Sequence, residues 1–176
     1  MSAWTKPRGR ARATGSAESA DPAKPEPSAY QRALGLLVRR EHSRKELTRK
    51  LADRGVERDA AEAALDTLNR QDFQNDERFA AALARSRSSS GYGPVRIRAE
   101  LGTHGLGRDA IDAALDACGQ DWDASARDIA RRRFGHKDLA DPRQRRKAVD
   151  FLLRRGFAQK SALAAVKAAP GEFEDE

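Results

Sequence analysis

The chain has 176 residues, 35% of them charged, and a formal net charge of +7, so it is long enough for one or two small domains. A single cysteine excludes an internal disulfide, and no apolar run reaches the roughly 18 residues that a membrane-spanning helix needs. Hydrophobic content is 39% with only 6% aromatics, and its bias to Ala and Leu favours helices around thin cores over strands.

Residues 1–28 are rich in Ala, Ser, Gly, Pro and Arg, with Pro22, Pro25 and Pro27 breaking any helix, and read as a disordered tail. Its Lys and Arg can add weak polyanion contact, while Trp4 reads as incidental rather than as a base-stacking residue. The segment is basic but lacks the apolar stretch of a secretory signal, so a cytoplasmic protein is expected. A first helix is predicted over Ala33–Glu41. Ser43 and Glu46 then have the spacing of a capping box, in which the hydroxyl and the carboxylate satisfy orphan amides at a helix start. Leu47 and Leu51 follow at i, i+4, and Gly55 can close that helix in the left-handed conformation. An Ala-rich helix is predicted over Glu57–Leu68.

The pattern then recurs. A helix over Glu77–Arg87 leads through a Ser88–Gly93 loop to Gly93-Pro94, a looser start for the helix ending at Gly105, and Gly107–Cys118 is the next Ala-rich helix. A helix over Ala124–Gly135 leads through a Gly135–Pro142 loop to Asp141, whose side chain can cap a helix with Pro142 in its first position. That helix ends at Gly156, and Ala158–Ala169 follows. Lys45–Val56, Val95–Leu106 and Arg146–Phe157 align without gaps. Leu51, Leu101 and Leu152 coincide, as do Gly55, Gly105 and Gly156, each glycine followed by Val56, Leu106 or Phe157. Self-similarity at a period of about 50 residues is the mark of a repeat architecture. The expected fold is all-α: three tandem three-helix repeats over 29–72, 73–122 and 123–170, in an elongated, curved array with an acidic tail at 171–176.

Chemistry is scarce. His42, His104 and His136 lie in different elements, and the first two read as surface or capping residues; no metal-ligand spacing, phosphate-binding loop or nucleophile constellation is present, so no catalysis, cofactor or metal is expected. Cys118, in an Ala/Leu-rich helix, reads as a packed small hydrophobe. Acidic residues are expected to pair with Lys and Arg at i, i+4 on helix surfaces.

The basic residues carry the stronger signal. Residues 1–28 hold a net +2 and residues 171–176 a net −4, so the body holds +9 and should attract a polyanion or an acidic protein surface. Arg39, Arg40, Arg44, Lys45, Arg49, Lys50 and Arg54 surround the first glycine-ended helix. Arg85, Arg87, Arg96 and Arg98 occupy the equivalent region of the second unit. Arg131, Arg132, Arg133, Arg143, Arg145, Arg146, Lys147, Arg154 and Arg155 crowd the third. Repetition can align these clusters as a stripe, which suits a filament or duplex better than a small ligand. Alternatively, the Arg stems cover thin cores while their heads stay in water.

Residues Arg40–Leu47 (REHSRKEL), followed by Lys50, Leu51 and Gly55, resemble the opening signature of the bacterial RecX regulatory proteins. Asn75–Ala80 (NDERFA), with Gly93-Pro94, Ile97, Arg98 and Leu101, resembles the middle signature, and Phe151–Phe157 (FLLRRGF) the C-terminal one. The resemblance spans roughly residues 30–169 and excludes the proline-rich extension. It implies a monomeric regulator that binds RecA and RecA–DNA filaments, suppresses ATP hydrolysis and strand exchange, and limits the SOS response. DNA, single- or double-stranded and of any sequence, is the further partner implied by charge. The alternative is a general DNA-binding protein that acts by competing for DNA.

Overall fold

A computed structural model describes residues 26–168, so Trp4, most of the predicted N-terminal tail, the end of the last predicted helix at Ala169 and the acidic tail lie outside the described residues. Among the described residues there are nine α-helices and no strand. They form three successive three-helix units. The first contains α1 (Ala29–Leu37), α2 (Arg44–Ala52) and α3 (Arg58–Arg70). The second contains α4 (Asp76–Ser89), α5 (Pro94–Thr103) and α6 (Arg108–Asp116). The third contains α7 (Trp122–Phe134), α8 (Pro142–Arg155) and α9 (Gln159–Lys167).

Each unit builds its own small core. Ala33, Leu47, Leu51, Ala61, Leu65 and Leu68 fill the first. Phe79, Ala80, Ala84, Ile97, Leu101, Ile111, Ala114 and Leu115 fill the second. Ala126, Ala130, Phe134, Leu139, Ala148, Leu152, Phe157, Ala162, Ala165 and Val166 fill the third. Leu51, Leu101 and Leu152 are fully buried in their respective cores. Trp122 packs against both the second and the third core, linking them.

Local signals set the helix ends. Gly55, Gly105 and Gly156 take φ of 73°, 83° and 89°, the left-handed conformation the sequence predicts. At Gly55 and Gly156 the turn closes with paired hydrogen bonds: Val56 N–H to Leu51 O (3.1 Å) with Gly55 N–H to Ala52 O (2.9 Å), and Phe157 N–H to Leu152 O (3.1 Å) with Gly156 N–H to Leu153 O (2.9 Å). Asp141 caps α8 through the Arg143 amide, with Pro142 in the first turn. Asp72, at φ 56°, closes α3 in the same left-handed way without being a glycine.

The first helix differs from its prediction. It runs over Ala29–Leu37 rather than Ala33–Glu41, because Ser28 and Gln31 form a capping box upstream. Arg32 fastens this start by bonding Pro27 O (2.8 Å) and the Glu26 carboxylate (2.9 Å). Beyond the helix, residues 38–40 stay exposed, and residues 41–43 enter the contact with the second unit.

Candidate functional site

The middle helices of the three units meet end to end. The C-terminus of α5 abuts the N-terminus of α2, and the C-terminus of α8 abuts the N-terminus of α5. Each helix thus presents its partly negative carbonyl end to the partly positive amide end of the preceding unit's helix, a favourable arrangement of dipoles.

The first joint is made by side chains. Lys45 Nζ donates to Thr103 O (2.8 Å), and Ser43 Oγ lies 2.8 Å from His104 Nδ1. Ser43 also accepts the Glu46 amide as the N-cap of α2. The His104 ring packs on Phe79, centroid to centroid 4.7 Å. Asp76 Oδ1 accepts both the Arg44 amide (2.8 Å) and Gln74 Nε2 (2.8 Å), and Arg78 Nε donates to Glu41 (2.5 Å).

His42 is only 2% exposed and Ser43, not His42, caps α2, which corrects the expectation of a surface or capping residue: the turn after α1 folds inward and takes its ring with it. Glu46 departs from its predicted role too. Its carboxylate does not return to the Ser43 amide but gathers Arg40 (2.5 Å), His42 Nδ1 (3.0 Å) and Lys50 (3.1 Å). Burial pushes the Glu46 carboxyl up, but hydrogen bonds from Arg40, His42 and Lys50 outweigh it and bring it down to about 2. Burial dominates at His42 and lowers its pKa below the ordinary value of 6.5.

The second joint is made by backbone. Gly93 N–H donates to Arg155 O (2.8 Å) and Val95 N–H to Gly156 O (3.0 Å), so the last carbonyls of α8 satisfy orphan amides of α5. A Cβ on Gly93 would overlap the Gly156 carbonyl group, and one on Gly156 would overlap Arg96. Arg155 donates to Ser90 O (2.9 Å), and the Arg96 and Arg155 guanidinium groups lie 4.5 and 5.1 Å from the Tyr92 ring centroid.

These joints contain the three sequence signatures. Residues 40–47 and 75–80 meet at the first joint, and Gly93-Pro94 meets the end of 151–157 at the second. Their spacing was visible in the sequence, but their meeting depends on helix ends that lie 30 to 60 residues apart along the chain.

The predicted basic residues therefore fall into two groups. Arg40 and Lys50 bind Glu46, Arg44 binds Asp66 (2.7 Å), Arg87 binds Glu100 (2.7 Å) and Arg98 binds Asp112 (2.5 Å). Lys45, Arg96 and Arg155 serve the joints. Arg131 and Arg132 both reach Asp128. Local i, i+3 or i, i+4 pairing is thus the minority pattern among the ion pairs; most of the paired carboxylates reach another helix or loop, because the small units bring helix ends close together. The other group comprises Arg39, Arg49, Arg54, Arg85, Arg133, Arg143, Arg145, Arg146, Lys147 and Arg154, all exposed and with no ion pair among the described residues. Cys118 is half-buried, with its thiol on Ala114 O, and burial raises its pKa. No cluster of potential metal ligands occurs among the described residues, and no helix there is long and apolar enough to cross a membrane.

The charge is uneven between units. Residues 29–70 hold 10 Lys/Arg against 7 Asp/Glu, residues 76–116 hold 6 against 6, and residues 122–167 hold 13 against 5. The third unit therefore carries +8, against +3 for the first and zero for the second.

Three family models match the chain in order: the first, second and third three-helix domains of RecX, at residues 29–68, 75–115 and 121–160. The chain is 61% identical over 142 residues to the regulatory protein RecX of Xanthomonas axonopodis pv. citri (strain 306), covering 81% of this chain and 88% of that one. It is 55% identical over 147 residues to the regulatory protein RecX of Stenotrophomonas maltophilia (strain R551-3), covering 84% and 90%. Its fold is similar to the crystal structure of RecX from Lactobacillus salivarius, with a TM-score of 0.64, 22% identity and coverage of 79% and 92%. A crystal structure of regulatory protein RecX gives a TM-score of 0.62 at 25% identity, covering 76% and 67%.

Proposed function

The chain belongs to the RecX family of regulatory proteins, and from that premise we propose that it binds RecA and RecA–DNA filaments, inhibits their ATPase and recombinase activity, and so restrains DNA repair and the SOS response. The observation that carries this reading is the ordered match of all three helical units to the family, joined through the residues that form its signatures. A regulator of this kind needs no active site. It shifts a filament between states by binding one state better than another.

The arrangement suits that task. Two joints string three small cores together, so partner contacts can be spread along the chain instead of being collected in one pocket. The contact surface on this reading is drawn from the exposed cations: Arg39, Arg49 and Arg54 in the first unit, Arg85 in the second, and Arg133, Arg143, Arg145, Arg146, Lys147 and Arg154 in the third. Arg40, Arg44, Lys50, Arg87, Arg98, Arg131 and Arg132 contribute less, because their charge is already engaged by carboxylates. The protein acts as a monomer, without a cofactor.

The test is RecA ATPase on filaments assembled on single-stranded DNA before the protein is added. Falling turnover at low ratios of this protein to RecA is expected; unchanged turnover at near-stoichiometric amounts in low salt would refute the reading. The +8 of the third unit favours a second reading, a general DNA-binding protein that competes for DNA. Under that reading excess free DNA relieves the inhibition, whereas a filament ligand keeps inhibiting.

A further inference from the structure

Between the end of α7 and the face of α8 lies a cavity of about 470 Å³ lined by Arg133, Phe134, His136, Lys137, Lys147, Phe151 and Arg154. No carboxylate lines it. Three other cavities of the molecule each hold at least one: Glu41, Glu46 and Glu100 in the first, Glu77 and Asp109 in the second, Glu46 in the third. Arg133, Lys137, Lys147 and Arg154 form no ion pair among the described residues. At the first joint, by contrast, the neighbouring cations Arg40 and Lys50 share the Glu46 carboxylate.

The start of α8 adds a second, independent observation. Arg143, Arg145, Arg146 and Lys147 crowd its first two turns, where the helix dipole disfavours positive charge, and its first turn contains no acidic residue. Dipole compensation accounts for Arg133 and Arg154, each in the last turn of its helix, but opposes the four cations at the start of α8. Arg143 and Lys147 are one helical turn apart, and Phe151 and Arg154 continue the same face, a row about 16 Å long at 1.5 Å per residue. The T-shaped Phe134–Phe151 pair (5.6 Å) walls the groove with apolar surface, and a cleft of one charge sign with low-dielectric walls focuses its field on an entering ion.

We infer that this groove seats the phosphodiester backbone of a nucleic-acid strand, so that the third unit is the part of the protein that holds DNA. An acidic protein patch fits less well: protein surfaces mix both signs, as the first two units here do, whereas the groove offers a row of one sign matched to a regularly spaced polyanion. The inference deepens the function proposed above and rests on it only for the filament setting.

The test uses a fluorescently labelled 30-nucleotide oligo-dT and the full chain without RecA, comparing the protein with an Arg133→Gln/Lys137→Gln/Lys147→Gln/Arg154→Gln variant. All four residues are exposed, so an unchanged melting temperature is expected. With one phosphate per cation and a slope of about 0.7 per contact on single strands, the unmodified protein should lose about 50-fold more affinity than the variant between 50 and 200 mM salt. Lys147→Gln alone should account for about 2.6-fold of it, a quarter of the change in slope. Equal affinities and equal salt slopes would overturn the inference, as would displacement of the oligonucleotide by inorganic phosphate beyond the effect of chloride at the same ionic strength, which would mark a free-anion site. An Arg39→Gln/Arg49→Gln/Arg54→Gln variant should bind like the unmodified protein; an equal loss there would also overturn it. RecA ATPase inhibition is read in parallel. Its absence defeats the proposed function and leaves the oligonucleotide result standing, so the two failures are distinguishable.

Discussion

The two joints solve the same problem in different ways. In both, the end of one unit's middle helix meets the start of the previous unit's middle helix. At the first, the gap is bridged by Ser43, Lys45, His104 and the carboxylates of Glu41 and Asp76. At the second there is no gap: Gly93 and Gly156 let backbone bond backbone. A side-chain joint responds to pH and salt and tolerates small displacements, whereas a backbone joint is sensitive mainly to shape.

The sharpest way to break the comparison is at the glycines. Gly156→Ala combines a left-handed backbone with overlap onto Arg96 and should cost about 3 kcal/mol or more in denaturant unfolding. Gly55→Ala, at the equivalent position but with open space around its Cβ, should cost about 1 kcal/mol from backbone strain alone. Equal costs would mean that the second joint is not tight.

A smaller loss is expected at the first joint. Glu46→Gln leaves Arg40, His42 and Lys50 without their shared carboxylate and should lower stability by about 2 kcal/mol in the same assay. Loss of less than about 0.5 kcal/mol would show the cluster to be peripheral.

Stability should also vary with pH at the first joint. The folded protein keeps His42 neutral while the unfolded chain takes up a proton below 6.5, so stability is lost as pH falls from 6.5. Glu46, held at about 2, adds stability above its ordinary 4.5 that disappears as pH falls from there toward 2. His42→Asn should remove the first of these steps, whereas Gly156→Ala should leave both. Urea unfolding from pH 7.5 to 3 would reveal the steps, and an unchanged upper step in His42→Asn would assign it to another group. The smallest effect is expected for Lys45→Met, which gives up one hydrogen bond to Thr103 O at an exposed site, about 0.5 kcal/mol.

The repeats were legible because Leu51, Leu101 and Leu152, with their glycines, recur in register and report purely local structure. Helix ends were legible where a cap lay next to an apolar stripe, as at Asp141-Pro142. The start of α1 was missed because the Ser28–Gln31 box stands beside a proline-rich segment that obscured it. His42 was misplaced because its burial follows the inward fold of the turn after α1, and Glu46 because its carboxylate turns to Arg40, His42 and Lys50 rather than to the Ser43 amide, a choice that capping-box spacing does not report. The basic residues could be counted from sequence, but which of them are engaged could not: Arg44 meets Asp66 and Arg87 meets Glu100 only through the packing of separate helices.

That division of the cations leads to the most direct test. RecA ATPase on pre-formed filaments should be measured with two folded charge-reversal variants, Arg145→Glu/Arg146→Glu/Lys147→Glu in the third unit and Arg39→Glu/Arg49→Glu/Arg54→Glu in the first. The predicted result is inhibition by the unmodified protein that is lost with the third-unit variant and weakened with the first-unit variant. Full inhibition by both variants would contradict a function carried by these exposed cations.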